Sequence, residues 1–107
     1  MSVHKAALIE VFTLENEFLK IEVLNYGAII KSLKLKLEHE ESQELVVGHH
    51  EVLLYLEDPW FLGACLGPFS GRIKRKNALT NTVDFPENTK KIELHGGKQA
   101  YSKQFWQ

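Results

Sequence analysis

His95 is followed at once by Gly96 and Gly97. An imidazole can give or take a proton near neutral pH. Two glycines beside it let the backbone turn sharply or pass close to a ligand. The same triplet also suits a tight turn that carries a surface histidine. Arg72, between Gly71 and Ile73, offers a planar fork able to hold two oxygens of a polyol at once. A plain surface arginine fits that position too. Glu93 precedes His95 by two residues, so on a continuing strand its carboxylate would share a face with the imidazole. Pairs of this kind are commonly solvated surface neighbours. No Asp or Glu follows His95, so no later residue offers a carboxylate base.

Other clusters point to less. His39, His49, His50, His95 and Cys65 show no familiar ligand spacing, and the adjacent His49 and His50 would face opposite ways in extended chain, so no metal is expected. "GRIKRKNA" gathers four basic residues, of which Arg72, Lys74 and Lys76 would share a strand face. No stacking aromatics are interleaved there, and the chain carries a net charge of −1. A solvated face is expected, with neither nucleic acid nor membrane as partner. The single Cys65 lies in the apolar run "WFLGACLG" and is expected to be a small buried hydrophobe in a reducing compartment. The apolar stretch at the N-terminus is interrupted by Glu10, too short for a signal-peptide core or a membrane span, so a cytoplasmic protein is expected.

The elements that must position these residues follow from alternation. In "SLKLKLE", Leu33, Leu35 and Leu37 point one way and Lys34 and Lys36 the other, as in a strand with one wet face. "FLKIEVL" repeats the pattern with Leu19, Ile21 and Val23 on one face. Between them "NYGA" holds Asn25 and Gly27, which can supply the backbone angles of a turn or bulge. "ELVVG", "WFLGACLG", "TVDF" and "KIEL" are further short strand candidates, and only "HHEVLLYLED" could hold a helical turn. With 107 residues, 44% apolar and 25% charged, the chain is expected to form one unit over residues 1–107, all-β and a β-sandwich.

The order of the motifs is more informative than any one of them. "LENEFLKIEVLNYGAIIKSLKL", "ELVVGH", "FLGACLG" leading to "GRI", and "LHGG" with a closing "FW" together resemble the N-terminal part of aldose 1-epimerases, also called galactose mutarotases. The resemblance covers nearly the whole chain from about Phe12 onward, while members of that family are several times longer. It implies the N-terminal part of a mutarotase-like supersandwich whose cleft binds a hexose and interconverts its α and β anomers, an isomerase reaction that needs no cofactor. In the family a glutamate takes the proton of the anomeric hydroxyl and a histidine protonates the ring oxygen. The ring then opens, a carbon–carbon bond rotates, and the ring recloses.

By position, Arg72 and His95 match two sugar-contacting residues of the family and are the expected substrate-binding residues. No catalytic residue is assigned, because the family's glutamate base, principal acid histidine and sugar-binding aspartate belong to its later part. Departures fall at Gly71, where asparagine is usual, at Pro68, where an arginine is common, and at Ala100, Tyr101 and Ser102 in place of Gly-Phe-Asp. Expected partners are a monosaccharide and a complementing chain or second copy. A sheet cut short leaves unpaired edges. A carbohydrate-binding module without turnover is the alternative from another class.

Overall fold

The structure, a computed structural model, describes residues 8–74 and 92–107. Strands β1 (Val11–Glu15), β2 (Leu19–Leu24), β3 (Ile30–Leu35) and β4 (Gln43–Glu44) form one antiparallel sheet in that order. Strands β5 (Arg72–Lys74) and β6 (Ile92–Leu94) form a second antiparallel pair. Three short 3-10 helices, Val52–Glu57, Gly97–Gln99 and Tyr101–Lys103, complete the described elements. The strand character expected from alternation is present, and the helical turn falls within "HHEVLLYLED".

Register follows the apolar pattern. Leu19 pairs with Leu35, and Ile21 lies between Leu14 and Leu33, so the leucines of the two alternating runs share one face. Phe12 and Leu14 extend that face onto β1, where they are 53% and 67% exposed. Strand β1 adds to the strands expected from alternation, and it starts directly after Glu10, the residue that interrupts the N-terminal apolar stretch. Asn25 anchors it from a distance: its Oδ1 accepts the Glu10 amide at 2.8 Å and its Nδ2 donates to the Leu8 carbonyl at 3.0 Å.

The "NYGA" turn forms as expected, although the left-handed angles fall on Gly27 and Ala28 and Asn25 serves through its side chain. Beyond it lies the core of Leu24, Tyr26, Ile29 and Tyr55, with Ile9, Val52, Leu56 and Leu62 packed against it. Each fully buried aliphatic side chain of this kind contributes about 1.5–3 kcal/mol.

Two strand expectations need correction. Of "ELVVG" only Glu44 lies in a strand, paired together with Gln43 just before the run. The Glu44 carboxylate accepts the Leu33 and Val46 amides at 2.8 and 3.3 Å and the Ser32 hydroxyl, taking donors that a longer β4 would need. "WFLGACLG" forms no strand: two turns at its start are followed by irregular chain over residues 64–67. Asp58 starts them by accepting the Trp60 and Leu62 amides, and left-handed angles at Phe61 and Gly63 break any extended run. Cys65 is therefore exposed rather than buried, its thiol donating to the Ala28 carbonyl at 3.2 Å. "TVDF" and Lys76 lie outside the described residues.

Candidate functional site

Strands β5 and β6 place Arg72 opposite Leu94, so the next residues outward are Gly71 and His95. In a regular antiparallel ladder these two would exchange backbone hydrogen bonds. Here only half of that exchange is backbone: the His95 amide donates to the Gly71 carbonyl at 2.8 Å. The Gly71 amide instead donates to the imidazole, reaching Nδ1 at 3.0 Å. His95 leaves the extended conformation at φ +50°, and its ring takes the place its carbonyl would have held.

That substitution has a chemical consequence. An amide can only donate, so Nδ1 is the acceptor and neutral His95 carries its proton on Nε2. The ring is half-buried, and its Nε2–H is the kind of donor that a sugar oxygen can accept. Arg72, one residue from this junction, is exposed, with its backbone held by the ladder opposite Leu94. Glu93 does not orient the imidazole through Nδ1. A Cβ built on Gly97 would stand 3.2 Å from the Glu93 carboxyl carbon, so this side chain lies over the glycine turn.

A ring the sequence did not single out completes the junction. Phe61 meets His95 edge to face, with centroids 4.8 Å apart and planes at 69°, within the range favoured by aromatic pairs. Phe61 also lines a cavity of about 550 Å³, whose walls include Tyr26, Tyr55, Asp58, Lys98 and Lys103. Arg72 and His95 are not among those walls, whereas Phe61 belongs to them and also touches the imidazole.

Phe61 adopts φ +54°, a conformation that costs a bulky residue about 1–3 kcal/mol. Asp58 imposes it. Its side chain is 5% exposed, and its oxygens accept the amides on either side of Phe61, from Trp60 at 3.0 Å and Leu62 at 2.8 Å. Burial pushes the Asp58 pKa up, but these amides and His49 outweigh it and hold the carboxyl below the usual range. His49 Nε2 lies 3.2 Å from Asp58 Oδ1, without hydrogen-bond alignment. The cue in the sequence was Asp58-Pro59, a pair that favours turn initiation.

A family profile described as "Aldose 1-epimerase" matches residues 10–107. The chain belongs to the aldose 1-epimerase family. Family relatives include galactose mutarotase of Pongo abelii, 29% identical over 103 residues and matched over 92% of this chain and 29% of its own length. Another is aldose 1-epimerase of Escherichia coli (strain K12), 26% identical over 94 residues, covering 86% of this chain and 27% of the relative. The solved structure of an aldose epimerase homologue from C. elegans superposes with a TM-score of 0.74 at 22% identity, over 92% of this chain and 31% of that one. Galactose 1-epimerase from Lactobacillus acidophilus NCFM gives 0.66 at 24% identity, over 92% and 29%. These two likenesses establish the fold, that of the N-terminal part of a mutarotase. The chain spans about 30% of the length of these relatives.

The departure expected at Gly71 falls at a backbone angle that suits both glycine and asparagine. Gly71 has φ +78°, and asparagine is the side-chain-bearing residue that tolerates this region best. A Cβ built on Gly71 meets nothing within 4 Å. Gly71→Asn should therefore change stability by less than about 0.5 kcal/mol, whereas Gly71→Val, β-branched, should cost about 2 kcal/mol. Thermal melts of the two variants check this. Equal losses for both would show that the site needs glycine for a reason other than angle.

Proposed function

We propose that this chain supplies the sugar-contacting segment of an aldose 1-epimerase site, acting on a hexose whose α and β anomers the complete site interconverts. His95 donates from Nε2 to a sugar oxygen, and the Arg72 guanidinium holds further hydroxyls as a fork. The observation that carries this is the Gly71 amide on His95 Nδ1, which presets the donor tautomer next to Arg72 in a chain matched by the family over residues 10–107. The base that removes the anomeric proton and the acid that protonates the ring oxygen would come from polypeptide outside these 107 residues.

The test is polarimetry of freshly dissolved α-galactose together with an NMR titration. The chain alone should bind galactose weakly, with shifts at Arg72 and His95 that Arg72→Ala and His95→Ala each abolish. It should not speed mutarotation beyond solvent and buffer. Fast mutarotation that survives His95→Ala, or galactose shifts confined to other residues, would remove these two from the site.

The second reading, from another class, is a sugar-binding module without turnover. Adding a polypeptide corresponding to the later part of a family member separates the two. Gain of mutarotase activity on mixing supports the first, and continued binding without turnover the second.

A further inference from the structure

Phe61 adopts a left-handed backbone angle although it lies outside the buried cluster of Leu24, Tyr26, Ile29 and Tyr55. Core packing alone therefore does not account for the strain. What the conformation accomplishes is placement of one ring among three groups. The ring meets the His95 imidazole at 4.8 Å, lies under the Lys103 ammonium at 5.9 Å from its centroid, and faces the cavity as part of its wall. Asp58 clamps the backbone on both sides through the Trp60 and Leu62 amides.

His95 needs such a support. The Gly71 amide holds the imidazole at Nδ1, and with the covalent link at Cβ this defines the ring plane only while the bond is made. The Phe61 ring, packed at 69° to the imidazole, opposes the side-chain rotation that would break it.

We propose that Phe61 is the positioning residue of the site: its ring sets the plane of the His95 imidazole and thereby keeps Nε2–H turned outward as the donor. This rests on the assignment of His95 as a sugar contact only for its effect on binding. The effect on the imidazole stands by itself.

The experiment uses the 107-residue chain labelled with 15N-histidine. Long-range 1H–15N spectra above the imidazole's titration range report the tautomer of His95, and nuclear Overhauser effects report ring contacts. Wild type should show a single Nε2–H tautomer and Overhauser effects between the Phe61 and His95 rings. Phe61→Leu, which keeps an apolar side chain, should give a mixture of tautomers with the amide spectrum otherwise preserved, and Phe61→Tyr should restore the single form. Galactose affinity should fall by about fivefold in Phe61→Leu, the scale of one lost aromatic pair. A single unchanged tautomer in Phe61→Leu would overturn the proposal. So would the absence of ring-to-ring Overhauser effects in wild type, a result that depends on no variant folding. A tautomer change in a chain that binds no galactose would uphold the positioning role and defeat the sugar assignment of His95.

Discussion

Replacing Gly96 with alanine should cost about 3 kcal/mol or more and abolish the ordered state of the His95 turn. Gly96 sits at φ +96°, where an L side chain is itself strained by about 1–3 kcal/mol. A methyl group there would overlap the Gly67 carbonyl oxygen and come within 2.9 Å of the Ala100 Cβ. Neither neighbour has room to move. Ala100 is fully buried, and the Gly67 carbonyl already accepts the Tyr101 amide at 3.0 Å. Overpacking against fixed backbone adds about 1–3 kcal/mol, a large share of the marginal stability of a domain this size. Denaturant unfolding of Gly96→Ala beside Gly71→Ala makes the comparison. Gly71 is also left-handed but open, so it should lose only about 1 kcal/mol. Similar losses for the two would mean that the Gly67–Gly96 crossing is not closely packed.

Asp58→Ala should lower the melting temperature by about 10–20 °C, corresponding to about 2–3 kcal/mol. The carboxylate satisfies two amides that bracket a strained residue, and removal leaves both donors without their charged acceptor. The effect has a pH signature. The folded-state pKa of Asp58 is depressed, so the stability it contributes is present above the unfolded carboxyl value of about 3.9 and is lost as pH falls through the lower folded value. The stability gap between wild type and Asp58→Asn should therefore be constant near neutral pH and shrink below about pH 4. A gap that widens on acidification would show that Asp58 is not held as a carboxylate. Loss of Asp58 should also disturb the Phe61–His95 ring contact, since Asp58 sets the backbone angle from which that ring projects.

The legible parts of the fold were those governed by neighbours in the chain. Alternation placed Leu19, Ile21, Leu33 and Leu35 on one face, because successive strand side chains point opposite ways whatever lies beyond. Turn chemistry placed the reversal at "NYGA". The short runs "ELVVG" and "WFLGACLG" misled, because an apolar run bounded by glycine does not distinguish a strand from a set of turns. The outcome there was decided by the Glu44 and Asp58 carboxylates competing for backbone amides. In the candidate site, His95 and its glycines stood out by residue type, whereas Phe61 looked like one apolar residue among several.

From its order of residues alone, this chain settles its antiparallel β character, the faces of its alternating strands and its membership of the aldose 1-epimerase family, all of which depend on spacing along the chain. Tertiary structure alone decided that a glycine amide distant in sequence selects the tautomer of His95 and that Phe61 stands against that ring. Those are contacts between segments far apart in sequence. Their geometry is set by which groups remain unsatisfied once the strands have paired, and no local pattern records that.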